Sequence, residues 1–334
     1  MALTNHKVLL AARPVGMPKR SDWNFVEELV REPEEGELLI QVLYISLDPA
    51  MRGWINDVRS YVPPVQIGEL MRALAVGVVT ASRNPAFAPG DHVSGVFGVQ
   101  EYVLSNGKGV RKIDSKIAPL PKHLSVLGMT GMTAYFGLLD TGEPKPGDTV
   151  VVSAAAGAVG SIVGQIAKIK NCRAVGIAGG AEKCGYIVRE LGFDAAIDYK
   201  SEDVKESLRK HCPQGIDVYF DNVGGTILEA ALSGLARGAR IVICGAISQY
   251  NNTGPATGPR NYMSLLTNRA SMKGMLVMDY MERFAQAGAE MAGWMAEGKL
   301  KSREHIVEGL AAFPETLLKL FTGENSGKLM LKLA

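Results

Sequence analysis

The sequence predicts an α/β protein with a doubly wound parallel sheet and a second, mainly β domain. Two observations predict this fold. Strands and helices alternate in the middle of the chain, whereas the first 120 residues hold β-rich segments without that alternation. A hydrophobic fraction of 47% allows a sizeable core. The length of 334 residues fits two domains, given a prior of roughly 150 residues per domain.

The alternating region begins at a short apolar strand, Val150–Ser153, and contains five further predicted strands. Nearly continuous apolar strands are typical of a parallel sheet covered on both faces, which binds ligands at the carboxyl ends of its strands. The predicted elements that follow are helix Ala158–Lys170, strand Arg173–Ile177, helix Ala181–Leu191, strand Ala195–Asp198, helix Ser201–Lys210, strand Asp217–Asp221, helix Thr226–Ala236, and strands Arg240–Cys244 and Ser271–Val277.

The first 120 residues read as a separate β domain, punctuated by glycine and proline turns. Its β-rich segments are Leu38–Ser46, Leu74–Ala81 and Asp91–Leu104. The tail, Gly327–Leu333, alternates apolar and polar residues like a half-exposed strand, and we expect it to pair with the β domain. The predicted domains are therefore 1–124 with 303–334, and 125–302.

A run of small residues follows the first parallel strand and precedes an apolar helix. Its spacing, Ala155-x-Gly157-x-x-Gly160, is typical of a tight turn at a helix N-terminus that cradles a pyrophosphate. Alanine stands where the first glycine of that pattern is usual. The predicted cradle consists of Ala155, Gly157, Ala158, Val159 and Gly160.

The end of the second parallel strand indicates which dinucleotide is bound. NAD-preferring sheets carry an Asp or Glu there, but the segment Gly176–Lys183 has its only acid, Glu182, on the next helix. Small residues leave room for a phosphate, and Lys183 offers a positive charge. These features favour NADPH, although Lys183 would also suit a solvated surface position.

Composition argues against several other classes of protein. A net charge of +2 without a basic cluster disfavours a nucleic-acid partner. No apolar run reaches the roughly 18–20 residues of a membrane span. The first residues lack a hydrophobic signal core, so a cytoplasmic location is expected. The four cysteines have no metal-like spacing, so we expect reduced thiols and no metal.

Further segments carry a family resemblance over essentially the whole chain. They are Leu47–Arg52, Leu127–Tyr135, Val152–Gly160, Tyr219–Gly225, Cys244–Tyr250 and Gly323–Lys328. Together they resemble the zinc-independent medium-chain dehydrogenases/reductases, in the branch of leukotriene B4 dehydrogenase/prostaglandin reductase and alkenal double-bond reductases. The resemblance implies a Rossmann NADP-binding domain, a GroES-like catalytic domain and an active site in the cleft between them. Leu74–Gly77 lacks the His and Glu of zinc-type relatives.

The resemblance also implies cofactor contacts, a reaction and a homodimer. Implied NADPH contacts are Lys183 and Tyr199 at the 2′-phosphate and, nearer the nicotinamide, Asn222, Cys244, Met275 and Asn325. The implied reaction reduces the carbon–carbon double bond of an α,β-unsaturated carbonyl. Hydride is delivered to the β-carbon, and a tyrosine or ribose hydroxyl stabilises the resulting enolate.

Two tyrosines are the catalytic candidates. Tyr250 follows the fifth strand, and Tyr61 lies in a proline-bearing loop of the β domain. Each would also suit a packing role at the base of a loop. The predicted substrate residues are Arg52, Tyr61, Tyr250 and Tyr262. For Arg52 the favoured alternative is an internal ion pair with Asp48.

The long loop Ser248–Asn261 is interpreted as a substrate-side flap near a subunit contact. Curcumin-like diarylenones, 2-alkenals and prostaglandin-like enones all remain open as substrates. Two other functions also remain open. One is quinone reduction by NADPH, and the other is a non-enzymatic, NADPH-binding protein of the crystallin or RNA-binding kind.

Overall fold

The computed structural model describes residues 3–255 and 258–334. The chain divides into two compact units, one of residues up to Leu124 together with Glu304–Ala334, the other of Ser125–Arg303. Within the described residues the strands are β1 Thr4–Leu10, β2 Trp23–Leu29, β3 Leu38–Ser46, β4 Leu74–Ser82, β5 His92–Val96, β6 Tyr102–Ser105, β7 Arg111–Lys112, β8 Thr149–Ser153, β9 Arg173–Ala178, β10 Ala195–Asp198, β11 Ile216–Asp221, β12 Leu235–Ile243, β13 Ser271–Gly274, β14 Glu304–Glu308 and β15 Lys328–Lys332.

The α-helices of the same residues are mostly short. They are α1 Ala50–Trp54, α2 Met129–Phe136, α3 Gly160–Ile169, α4 Ala181–Arg189, α5 Val204–His211, α6 Gly225–Leu232, α7 Ser264–Asn268, α8 Phe284–Ala296 and α9 Phe313–Thr322. Among the helices described, none has the length and apolar character that a membrane crossing needs.

The second unit is built on a six-stranded parallel sheet in the order β10-β9-β8-β11-β12-β13. Counted along the unit, this is the order 3-2-1-4-5-6 of the Rossmann fold. Helices α3 to α6 connect the strands from β8 to β12. The central strand is fully buried at Val150, Val151 and Val152, as expected where helices cover both faces. The predicted α/β fold is confirmed.

The first unit is mainly β. Its larger sheet runs β14-β15-β3-β4-β5-β7, with β6 also paired to β3, and β1 pairs with β2 as a separate hairpin. The tail strand β15 is antiparallel to β3, with Met330 opposite Ser46. The helix α9 packs Phe313 and Leu317, both fully buried, into the same core. The predicted mainly β domain is therefore confirmed as a fold.

Several predicted boundaries are wrong. The helix predicted to reach Ala236 ends at Leu232, because Leu235 already pairs with Ile216 as a residue of β12. The helix predicted from Ser201 begins at Val204, where the Asp203 carboxylate caps it by accepting a 2.8 Å bond from the Glu206 amide. The strand predicted to reach Val277 stops at Gly274.

Candidate active site

The turn between β8 and α3 is packed so tightly at Gly160 that no side chain larger than a hydrogen atom fits there. Ala154 adopts a left-handed backbone, with φ of 50°. A Cβ on Gly160 would lie 2.4 Å from the Ala154 carbonyl oxygen and 2.9 Å from the Ala155 Cα. Ala155 is itself fully buried. Glycine is therefore required at position 160, while a methyl group is accommodated at position 155.

This turn fits the pyrophosphate of a dinucleotide. The first amides of a helix have no carbonyl partner within that helix, and the helix dipole adds positive charge there. Gly157, Ala158 and Val159 are half-buried, so this part of the turn is not closed off from solvent. The five residues predicted for the cradle lie together in one turn, at the carboxyl end of the central strand.

A second anion-compatible patch lies at the ends of β9 and β10. The Asp198 carboxylate accepts a 2.7 Å bond from the Gly180 amide and so ties the two strand ends together. The Tyr199 ring packs on Gly179, where an added Cβ would lie 2.8 Å from the phenol oxygen. Burial lowers the pKa of Lys183, and the nearby charge of Lys200 lowers it further.

Lys200 was missed by sequence reasoning. The sequence does contain a signal for it. Lys200 follows the end of the third parallel strand by two residues, and Lys183 follows the end of the second parallel strand by five residues. The carboxyl ends of adjacent parallel strands meet at one edge of the sheet. Two lysines and one phenol hydroxyl therefore follow the ends of two adjacent parallel strands, and their role toward a 2′-phosphate stays a prediction.

The turn after β11 contacts the last residue of β8. The Asn222 amide group donates to the Ser153 carbonyl oxygen at 2.8 Å, and its backbone N–H donates to the Ser153 hydroxyl at 2.8 Å. The neighbouring Asp221 is 1% exposed. Neither Ser153 nor Asp221 was singled out from the sequence, although both lie inside segments that carry the family resemblance.

The ends of β12 and β13 bring in three more predicted residues. Tyr250 is placed by its hydroxyl oxygen, which accepts a 3.2 Å bond from the Ala246 backbone N–H. Loss of hydration, then the Asp221 carboxylate, raise the pKa of Cys244 to about 12 and keep its thiol protonated. The Met275 amide donates to the Ile243 carbonyl oxygen at 3.2 Å.

Arg52, in the first unit, is 3% exposed and is bonded to backbone. Its guanidinium donates to the carbonyl oxygens of Pro14 and Gly16 at 3.1–3.2 Å. Asp48, the ion-pair partner expected for Arg52, pairs with Lys328 instead, at 2.6 Å. The structural interpretation of Arg52 is supported, but its expected partner is wrong. A role toward substrate stays a prediction.

Tyr61 lies in a loop of the first unit whose base is closed by one arginine. The Arg13 guanidinium donates to the carbonyl oxygens of Ile55 and Val65 at 2.9 and 2.8 Å. The Tyr61 hydroxyl accepts a 3.2 Å bond from the Trp54 indole N–H, and the residue is 51% exposed.

Elsewhere in this unit, the Asn325 side-chain amide donates to the Gly327 carbonyl oxygen at 3.2 Å.

The loop predicted as a flap, Ser248–Asn261, contains residues 256 and 257, which lie outside the described residues. Its far end is tied to α6, because Glu229 accepts bonds from the Arg260 backbone N–H at 3.0 Å and from the Asn261 side chain at 2.8 Å. Tyr262, just beyond it, is 59% exposed. A flap function stays a prediction.

The fold and the glycine turn define a Rossmann-type oxidoreductase, and comparison with known proteins agrees. Residues 6–113 match the family described as the N-terminal domain of oxidoreductase, and residues 158–293 match the family described as zinc-binding dehydrogenase. In the part of the chain that the structure describes, three or more His, Cys, Asp or Glu side chains nowhere cluster to hold a metal ion.

Relatives that align over nearly the whole chain indicate a more specific group of oxidoreductases. The NADPH-dependent curcumin reductase of Escherichia coli is 43% identical, covering 99% of this chain and 97% of its own. The 2-alkenal reductase (NADP(+)-dependent) of Nicotiana tabacum is 39% identical, covering 98% and 96%. The solved structure of CurA in complex with NADPH from Vibrio vulnificus has a TM-score of 0.94 at 44% identity, covering 98% and 99%.

The chain belongs to the medium-chain dehydrogenases/reductases, in the branch that holds the curcumin, prostaglandin and 2-alkenal reductases.

Proposed function

We propose that the protein is an NADPH-dependent reductase of the carbon–carbon double bond of α,β-unsaturated carbonyls. One observation supports the NADPH preference most directly: Lys183, in the first turn of α4 after the second strand, is near the charge of Lys200, and the strand end that carries a carboxylate in NAD-preferring folds has none. The names of the relatives, a curcumin reductase and a 2-alkenal reductase, support the reaction class.

The second unit is the proposed cofactor domain and the first the proposed catalytic domain. The turn at Ala155–Gly160 would hold the pyrophosphate, and Lys183 with Tyr199 the 2′-phosphate. Contacts nearer the nicotinamide are proposed for Asn222, Cys244, Met275 and Asn325. When bound, NADPH supplies the hydride that adds to the β-carbon of the conjugated double bond.

The protein's own part is to stabilise charge and to supply a proton. As the β-carbon is reduced, negative charge develops on the substrate's carbonyl oxygen. The proposed donor to that oxygen is the Tyr250 hydroxyl, whose oxygen is fixed by the Ala246 amide at 3.2 Å. The α-carbon then takes a proton from this hydroxyl or from water. Tyr61 is the second proposed donor.

A test of the Tyr250 role is the Tyr250→Phe variant, which keeps the ring and removes the hydroxyl. Turnover of a simple enone should fall about 100-fold, the effect of removing one donor to a developing oxyanion. NADPH binding, measured by fluorescence titration, should stay at the parental value. Tyr102→Phe, which changes a half-buried tyrosine of β6 that has no proposed role in the site, should keep parental turnover. Unchanged turnover in Tyr250→Phe would remove this residue from the mechanism.

The function itself is tested by NADPH oxidation with enones, enals and quinones, with NADH as the control cofactor. Lys183→Ala should raise the KM for NADPH about tenfold, as loss of one charged hydrogen bond does, and leave the KM for NADH unchanged. Lys205→Ala, an exposed charge on α5, is the matched control. Oxidation with quinones alone would replace the enone proposal, and equal rates with NADH would refute the NADPH preference.

We also propose a homodimer and a cytoplasmic location. Tyr262, Met263 and Leu266 are 59%, 52% and 70% exposed and lie close in sequence to β13, the last strand of the parallel sheet. Exposed apolar side chains and an edge strand are typical of a contact surface. A monomer mass by light scattering would contradict the dimer.

The proposed cytoplasmic location is supported by the four free cysteines, which fit a reducing compartment.

A further inference from the structure

Asp221, at the end of β11, is a buried carboxylate to which the proposed reaction gives no role. It is 1% exposed, and one of its oxygens accepts four hydrogen bonds of 3.0 Å. The donors are the hydroxyls of Ser153 and Tyr219 and the backbone N–H groups of Val223 and Gly224. A carboxylate can be buried as an anion only with such partners, since an unpaired charge pays a large desolvation penalty.

All four partners donate hydrogen bonds to the same carboxylate oxygen of Asp221. Tyr219 is fully buried, and burial together with the Asp221 carboxylate raises the pKa of its phenol well above the ordinary value of 10.0. Tyr219 therefore stays protonated and donates. The two backbone donors belong to the turn that leads into α6, so the carboxylate also sets the path of that turn.

Asp221 connects three strand ends. The Ser153 hydroxyl, at the end of β8, donates to the Asp221 carboxylate and accepts from the Asn222 backbone N–H at 2.8 Å. The Asp221 backbone carbonyl accepts from the N–H groups of Cys244 and Gly245, after β12, at 2.9 and 3.1 Å. One residue therefore joins the turns that carry Asn222 and Cys244.

We propose that Asp221 is a positioning residue for NADPH, whose carboxylate, through the Ser153 hydroxyl and the Val223 and Gly224 backbone N–H groups, holds Asn222 in the arrangement that the cofactor contacts. This inference rests on the proposed function, because it takes the turn that carries Asn222 as part of the NADPH site. Asp221 acts through its neighbours and need not touch the cofactor.

The test is Asp221→Asn, which keeps the shape but removes the charge and places an NH2 group among hydrogen-bond donors. The Kd for NADPH, measured by fluorescence titration without substrate, should rise about tenfold, the loss expected for one charged hydrogen bond. The KM for NADPH should rise by the same factor, whereas kcat at saturating NADPH should change much less.

Val218→Ala is the matched control for stability. Val218 lies on the same strand and is fully buried, so its truncation should lower the unfolding temperature and leave the Kd for NADPH unchanged. A Kd within about twofold of the parent in folded Asp221→Asn would overturn the proposal. So would an equal rise in Val218→Ala, because the effect would then be general destabilisation.

If Asp221→Asn does not fold, Ser153→Ala takes its place, since it removes one donor to Asp221 and the acceptor of the Asn222 amide. A raised Kd supports the proposal, and a parental Kd overturns it. Because binding is measured without substrate, a parent that binds NADPH but reduces no enone refutes the proposed reaction only. A parent that binds no NADPH refutes the proposed function together with this inference.

Discussion

Gly160→Ala is expected to lower the free energy of unfolding by about 3 kcal/mol, at the upper end of the cost of overpacking, and to abolish measurable NADPH binding. The added methyl group would lie 2.4 Å from the Ala154 carbonyl oxygen and 2.9 Å from the Ala155 Cα. Both are backbone atoms of the turn, so no flexible side chain can move aside. Relief requires α3 to shift away from β8, which opens the proposed pyrophosphate cradle.

Urea denaturation and NADPH titration of the parent and the variant measure the two effects. Gly293→Ala is the matched control, because Gly293 lies inside α8 and an added Cβ there meets nothing within 4 Å. That variant should be unchanged or up to about 1 kcal/mol more stable, the helix preference of alanine over glycine. Parental stability and binding in Gly160→Ala would show that the turn is not packed as described.

Asp48→Ala is expected to destabilise the first unit by about 3 kcal/mol, the lower end of the cost of breaking a buried ion pair. Lys328 is 2% exposed, and its ammonium donates to Asp48 at 2.6 Å and to the Leu47 carbonyl oxygen at 2.8 Å. Without Asp48 that ammonium is buried without its counter-charge. The expected cost is at the lower end of that range because the Asp48 side chain is 18% exposed and is therefore partly solvated.

This destabilisation should depend on pH in a defined direction. Burial lowers the pKa of Lys328 from 10.5, and Asp48 partly opposes that shift. In Asp48→Ala the folded-state pKa falls further, so the unfolded chain binds more protons below 10.5. The free energy of unfolding then rises with pH. Urea denaturation of the parent and the variant at pH 7 and pH 9 should show the difference between them narrowing.

The double variant Asp48→Ala with Lys328→Met is the control, because it removes the buried charge as well. It should recover most of the lost stability, since an apolar residue of similar length often replaces a buried ion-pair partner at little cost. Glu315→Ala, which breaks the exposed Arg20–Glu315 pair, should change stability by less than about 1 kcal/mol. A double variant no more stable than Asp48→Ala would refute the unpaired-charge explanation.

The parts of the site that sequence reasoning predicted are local in the chain. The cradle occupies consecutive residues between one strand and one helix, and glycine spacing indicates such a turn directly. The acid-free segment Gly176–Lys183 is likewise local. Apolar runs indicated the parallel sheet because strands buried on both faces need a continuous apolar stretch. The order of the strands was not predicted from the sequence and comes from the structure.

One boundary error and two of the missed contacts arose where distant residues meet. The helix after β11 was predicted too long because its apolar pattern continues to Leu235, and only pairing with Ile216 makes Leu235 a strand residue. Lys328 lies 280 residues from Asp48, and Ser153 lies 68 residues from Asp221. No local pattern in the chain indicates which of many lysines or serines meets a given carboxylate.

By itself the sequence determined the parallel sheet, the mainly β first unit and the glycine turn, because hydrophobic periodicity and backbone sterics act over a few neighbouring residues. Only the tertiary structure decided that Asp48 pairs with Lys328 and that Asp221 joins three strand ends. Those contacts depend on which strands become neighbours and in what register, and hydrogen bonds form only when their atoms are within about 3 Å.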